Sequence, residues 1–98
     1  MSRYLLSPAA RADLEDVWDY TCERWNADQA QAYVREIQHA IERIAESPMI
    51  GRACDDVRPG YRKHAVGSHV LYYRLISGEI IDVVRILHQR MDVPRHFD

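Results

Sequence analysis

Two arginines and a histidine are the residues of this sequence best suited to chemistry. Arg85 interrupts the apolar run Ile80-Ile81-Asp82-Val83-Val84-Arg85-Ile86-Leu87, His88 follows it, and Arg74 lies in the preceding apolar segment. A guanidinium among Val, Ile and Leu must meet water, an anion or a carboxylate, because an unpaired buried charge is too costly. Arg74 and Arg85 together could clamp a phosphate, and His88 could exchange a proton beside them. A structural role for Arg85 stands on equal terms: a pair with Asp82, Asp92 or another carboxylate would hold the sheet end together. Arg74 reads more simply as a solvated surface charge.

The rest of the titratable inventory suggests little catalysis. His39, His64, His69, His88 and His96 make no recognised metal spacing with one another or with Cys22 and Cys54, so neither a metal nor a cofactor is expected. His64 and His69 flank a hairpin turn, where hydrogen bonds explain them. Two cysteines are too few for a disulfide framework and fit free thiols in a reducing cytoplasm. The net charge of −2 hides an asymmetry: residues 1–50 carry five Arg and nine acids (5 − 9 = −4), residues 51–98 eight Lys or Arg and six acids (8 − 6 = +2). That excess is too small for general nucleic-acid binding, which needs a clustered cationic footprint. The opening Met1-Ser2-Arg3-Tyr4-Leu5-Leu6 is too short for a signal peptide, and no segment is long enough to span a bilayer.

The elements that must position these residues follow from pattern. At 98 residues one domain, residues 1–98, is expected. Arg3 to Leu6 reads as a short strand. Ser7-Pro8 starts a helix, with Ser as N-cap and Pro at the first helical position. Ala10, Leu14, Val17, Trp18, Thr21 and Trp25 give it one apolar face, with Asp13, Glu15, Asp16, Asp19 and Glu23 mostly on the rest of the surface. Asn26-Ala27-Asp28 is the break. Ala30, Tyr33, Val34, Ile37, Ala40, Ile41, Ile44 and Ala45 form the unbroken stripe of a second helix, so the two make an antiparallel hairpin. Residues 47–60, with Pro48, Gly51, Pro59 and Gly60, read as loop. Tyr61–Val66, His69–Ile76 and Ile80–His88 read as strands of a meander turning at Gly67-Ser68 and Ser77-Gly78. The expected fold is α+β in two layers: a helix hairpin on one face of a four-stranded antiparallel sheet, in the order β-α-α-β-β-β.

Register can be argued from the turns. With Ser77-Gly78 as the two loop residues, Ile76 pairs with Glu79 and Arg74 with Ile81. Leu71, Tyr73 and Leu75 then share the helix side with Ile80, Val84 and Ile86. Val70, Tyr72 and Arg74 share the uncovered face with Ile81, Val83, Arg85 and Leu87, which sets Arg74 and Arg85 together beside Tyr72. The same logic at Gly67-Ser68 adds Tyr61 and Lys63 to that face. A one-residue slip would reverse every assignment.

Three segments in this order, Arg58-Pro59-Gly60-Tyr61-Arg62-Lys63, Gly67-Ser68-His69-Val70-Leu71-Tyr72-Tyr73-Arg74 and Val84-Arg85-Ile86-Leu87-His88-Gln89-Arg90-Met91-Asp92, resemble the ParE branch of the RelE/ParE toxin superfamily. Leu6-Ser7-Pro8-Ala9-Ala10-Arg11-Ala12-Asp13-Leu14 and the helix break Arg24-Trp25-Asn26-Ala27-Asp28-Gln29-Ala30 are similar to it too. The resemblance implies the toxin of a type II toxin–antitoxin pair, encoded beside a ParD-like antitoxin that neutralises it by occupancy, often in a heterotetramer. It implies an inhibitor of DNA gyrase that acts by binding and is not an enzyme. The alternative within the superfamily is a RelE-like, ribosome-dependent messenger RNA endonuclease. That chemistry needs lysines, arginines and a C-terminal tyrosine or histidine, and this chain has one lysine, Lys63, and no tyrosine after Tyr73.

The candidate contacts divide in two. Tyr61, Lys63, Arg74, Arg85, His88, Arg90 and Phe97 are the candidates for the target, through the basic open face and the C-terminal segment, in which Met91 and Phe97 would serve as apolar anchors. Trp18, Trp25 and Tyr33 are the candidates for the antitoxin. Core packing is the plain reading of two tryptophans seven apart, and a groove for a partner helix is the sharper one.

Overall fold

The computed structural model describes residues 4–78, 80–91, 93 and 97. The chain runs β1 (Tyr4–Leu6), α1 (Pro8–Arg24), α2 (Ala27–Glu46), a 3-10 turn (Pro48–Ile50), β2 (Arg52–Ala53), β3 (Tyr61–Val66), β4 (His69–Ser77) and β5 (Ile80–His88). The two helices start where the sequence places caps. Ser7 accepts the Ala10 N–H at 3.0 Å and Asn26 accepts the Gln29 N–H at 2.8 Å. Each satisfies one of the donors that a helix start leaves without a partner.

The sheet corrects the expectation of four antiparallel strands. It has five, in the order β1-β5-β4-β3-β2, and β1 lies parallel to β5. The reason is a parity. Residues 52–53, expected as loop, form the short edge strand β2, antiparallel to β3. β2 reverses the chain once more before the meander begins, so β5 finishes in the direction of β1 instead of against it. A two-residue strand carries no periodicity, and nothing in its composition announces it. Tyr73, fully buried, fixes the approach to it. Its hydroxyl donates to Pro48 O at 2.6 Å and accepts the Gly51 N–H at 3.0 Å. A side chain at Gly51 would collide with that phenol ring.

The β3–β4 hairpin follows the predicted register, from Val66 opposite His69 to Tyr61 opposite Arg74. The β4–β5 hairpin does not. Arg74 faces Asp82 rather than Ile81, and Tyr73 faces Val83, with shifts between Tyr72 and Tyr73 and between Leu75 and Ser77. The Ile76–Glu79 pairing lies outside the described residues. The irregularities change which side chains turn inward: Ile81 and Val83, expected on the uncovered face, are fully buried in the helix-side core, and Val84 joins the opposite face. A bulge inserts one residue into the alternation and so moves everything beyond it to the other side.

Two cores result. The helix-side core gathers Ala10, Val17, Ile37, Ala40, Ile41, Ile44, Val66, Leu71, Tyr73, Ile81, Val83 and Ile86. Full burial of each large aliphatic contributes about 1.5–3 kcal/mol. The far face, expected to be open, carries a second cluster of Cys54, Tyr72, Leu87 and Phe97, flanked by Val57, Tyr61, Val70, Val84 and Val93. Val57 from the 54–60 loop and Val93 and Phe97 from the C-terminal end cover it, and Arg58 donates to the Phe97 carbonyl.

Candidate functional site

Where β1 ends, the edge of β5 is left with unpaired backbone groups, and α1 closes it. Ser7 N–H donates to Val83 O at 3.0 Å, and the Ser7 hydroxyl to Val84 O at 2.7 Å. Nearly two turns along α1, Asp13 takes over. Its carboxylate accepts the Ile86 N–H at 2.9 Å and both Nε and Nη2 of Arg85, at 2.8 and 2.7 Å. The hydrogen bonds from Asp13 hold the Arg85 guanidinium charged more firmly than usual, against the smaller opposing effect of burial. Arg85 is therefore engaged toward α1, and the expected pairing of Arg74 and Arg85 on one open face does not form. Arg74 is exposed and meets Asp82 at 3.3 Å. A sequence signal for Asp13 existed: with Ala10 and Val17 it falls on the inner stripe of α1 at helical spacing, an acid in an apolar pattern opposite an arginine in another.

Beyond this ion pair a groove of about 680 Å3 opens between the C-terminal half of α1, the start of α2 and the ends of β4 and β5. Val17, Thr21 and Ile86 form its floor, Tyr20 and Trp25 one wall, and His69, His88 and Met91 the other. Trp25 is 68% exposed and Tyr20 60%. Trp25 is so open because it caps α1, its N–H on Thr21 O, and the chain turns away there. Trp18, on the same helix, is also exposed. The plain reading of the two tryptophans as core residues is thus corrected: α1 fills the core with Ala10 and Val17 and leaves its aromatic rings outside.

The groove wall is a hydrogen-bonded array of rings. Tyr33 Oη accepts the Ser68 N–H at 3.0 Å and lies 2.7 Å from His69 Nδ1, with Val66 O farther away at 3.5 Å. The short contact joins the Tyr33 hydroxyl and His69 Nδ1 in one hydrogen bond, whose direction follows the His69 tautomer. The turn that reaches Tyr33 needs Gly67, whose φ is +57° and whose missing Cβ leaves room for the tyrosine ring. The His69 ring meets the His88 ring edge-on at 5.3 Å. Burial and then His88 push the His69 pKa down, with Asp13 opposing. Burial pushes the Tyr33 pKa up, only partly offset by the Ser68 hydrogen bond.

The predicted target residues do not converge on one site. Tyr61, Lys63 and Phe97 belong to the far face, where Phe97 packs edge-on against Tyr61 and Tyr72 at centroid distances of 5.7 and 5.1 Å. Arg74 sits toward the β4–β5 turn, and His88 and Arg90 at the groove end. Of the predicted antitoxin residues, Trp25 and Tyr33 line the groove. Sequence reasoning missed Tyr20, His69 and Asp13 as parts of it. The groove offers aromatic surface, two imidazoles and the carboxylates of Asp13 and Asp16. That suits an apolar peptide segment better than a phosphate, which the carboxylates repel. Among the described residues no group of three or more His, Cys, Asp or Glu could hold a metal ion, and no helix is long and apolar enough to cross a membrane.

Comparison with known proteins points in one direction. The family model of the ParE toxin of the type II toxin–antitoxin system parDE matches residues 4–93. Toxin ParE1 of Mycobacterium tuberculosis is 64% identical over 95 residues, 97% of each chain. Toxin ParE1 of Caulobacter vibrioides is 46% identical over 96 residues, 98% of each chain. A solved chain from the chromosomal ParDE system of P. aeruginosa has the same fold, with a TM-score of 0.76 at 20% identity, covering 90% of this chain and 96% of that one.

Proposed function

Since the chain belongs to the ParE family and is the toxin of a type II toxin–antitoxin system, we propose that it arrests growth by binding DNA gyrase and that a ParD-like antitoxin silences it by occupying the α1–β5 groove. The observation that supports the antitoxin half is the exposure of Tyr20 and Trp25 on the groove wall, with Trp18 near them on α1. Large aromatics beside a concave apolar floor are the usual anchors of a partner segment. In this reading Trp18, Trp25 and Tyr33 face the antitoxin. Tyr61, Lys63, Arg74, Arg85, His88, Arg90 and Phe97 remain the candidates for the target, Phe97 by shaping the far face together with Tyr61. The toxin acts in the cytoplasm as a single domain spanning residues 1–98, and two toxins join two antitoxins in a heterotetramer.

Inhibition by binding rather than by chemistry is supported by how the cations are placed. Among the described residues Lys63, Arg74 and Arg85 do not converge, and the carboxylates of Asp13 and Asp82 face the two arginines, which disfavours their joint use on a phosphodiester. The test is purified, antitoxin-free protein in two parallel assays, gyrase supercoiling with detection of cleaved DNA and messenger RNA cleavage on programmed ribosomes. Cleaved DNA with intact message is the expected result. Cut message with unaffected gyrase would sink the reading and turn attention to His88 as a proton carrier.

A further inference from the structure

His88 holds the turn that follows β5 by two contacts. Its Nδ1 accepts the Arg90 N–H at 3.1 Å, and its carbonyl accepts the Met91 N–H at 2.9 Å. Gln89 N–H bonds Ser68 O at 2.9 Å, so the same turn is tied to the β3–β4 hairpin that carries Tyr33's hydrogen bonds. Met91 and both histidines line the groove. An imidazole that accepts through Nδ1 must be unprotonated there, and its proton rests on Nε2. His69, bonded to Tyr33 through Nδ1, lies against it, so the two imidazoles meet in this wall.

We propose that His88, beside His69, is a proton-operated latch on the groove: protonation at His88 Nδ1 sets two donors face to face and releases the Arg90 N–H, which loosens the turn that carries Met91. Its effect on the partner rests on the groove being the antitoxin site. His69 limits the pair to one charge at a time, because a charge on either ring opposes a charge on the other at a centroid distance of 5.3 Å, so the two protonation steps are spread apart. The depressed pKa of His69 agrees with that. The titratable groups around the pair are Asp13 and Asp16 from α1 and Tyr33 from α2 with Glu36 beside it, while Arg85 on β5 is held by Asp13 and Arg90 follows in the turn. Asp13, although paired with Arg85, is the carboxylate that favours a proton on His69, and Asp16 lines the same groove. The two residues differ in what they do when charged. Charged His69 can donate to Tyr33 Oη and keep its bond, whereas the bond from the Arg90 N–H to His88 Nδ1 is lost once that nitrogen carries a proton.

The experiment follows the full-length, antitoxin-free chain by NMR from pH 8 to pH 5, reading the imidazole nitrogens, the Arg90 amide and the Met91 methyl. The Arg90 and Met91 signals are expected to move with the His88 ring. His88→Asn, whose amide oxygen replaces Nδ1 as acceptor but cannot take a proton, should abolish the movement. Fixed Arg90 and Met91 signals while the His88 ring titrates overturn the latch, and the wild-type titration decides this whether or not the variant folds. A second arm measures affinity for the cognate antitoxin over the same range. A loss of up to about tenfold per pH unit for one linked proton, absent in His88→Asn, is expected. Affinity indifferent to pH alongside a working latch overturns the groove as the docking site and leaves the latch standing.

Discussion

Over 20 residues α2 buries Ala30, Ile37, Ala40, Ile41, Ile44 and Ala45 against the sheet, whereas α1 over 17 residues buries Ala10, Val17 and Thr21 and holds Trp18 and Tyr20 in solvent. The two helices have similar length and similar caps, and they pack on the same sheet. What separates them is the size of the residue on the inner stripe: isoleucines in α2, small side chains and a carboxylate in α1. α2 is a core element with a solvated back. α1 attaches at its N-terminal half, by Ser7 and Asp13, and presents aromatic surface from its C-terminal half. In the proposed reading one helix serves the fold and the other serves the antitoxin.

Substitutions can break that contrast. The largest effect is expected at Ile41→Ala, about 4 kcal/mol of unfolding free energy in denaturant titration. A loss under about 1 kcal/mol would mean that α2 is not the core element described. Asp13→Ala leaves the Arg85 guanidinium and the Ile86 N–H without their carboxylate, and should cost about 3 kcal/mol. That loss would show α1 to be structural at one end. Trp25→Ala should change stability by less than about 0.5 kcal/mol yet weaken antitoxin binding by about 2 kcal/mol, measured by calorimetry. A stability loss as large as that of Ile41→Ala would erase the distinction between the helices. The smallest effect is on pH dependence. His64 and His69 have folded-state pKa values below the ordinary 6.5, in each case chiefly through burial. The unfolded chain then takes up protons first on acidification. Their contribution is complete above about pH 6.5 and is lost as pH falls toward the depressed values. For half-exposed rings the total stays below about 1 kcal/mol. Thermal melts at pH 7.5 and 5 would read it, and a chain more stable at pH 5 would contradict the sign.

The same contrast explains what could be read in advance. The second helix was legible because one repeat of apolar residues ran its whole length and every member turned out buried or nearly so. The first was legible as a helix, from Ser7-Pro8, but not in its use: tryptophans at helical spacing look identical whether they face a core or a groove, and only the neighbouring layer decides. In the sheet, the Gly67-Ser68 turn fixed β3 against β4 correctly. The β4–β5 register failed because the shift at Tyr72–Tyr73 adds a residue in a run where nearly every side chain is apolar, so that no alternation marks it. The strand β2 was invisible at two residues, and with it the direction of β1. The far face was misjudged for a different reason: its cover comes from Val57, Val93 and Phe97, which are scattered through irregular segments and show no period. Of the groove, Trp25, Tyr33 and His88 were singled out in the sequence. Their meeting place depends on Gly67, Asp13 and the end of β1, which are contacts between distant parts of the chain.

The parallel β1–β5 pair has a consequence in time. The Ser7 hydroxyl bonds a carbonyl 77 residues further on, so the first strand to leave the ribosome waits for the last before it has a neighbour. The αα hairpin can form early from local contacts, but the sheet edge it rests on, and with it the floor of the groove, closes only after β5 has emerged. Translation thus places a delay between making this polypeptide and arming it, and an antitoxin already present in the cell has that delay in which to meet the toxin as it folds.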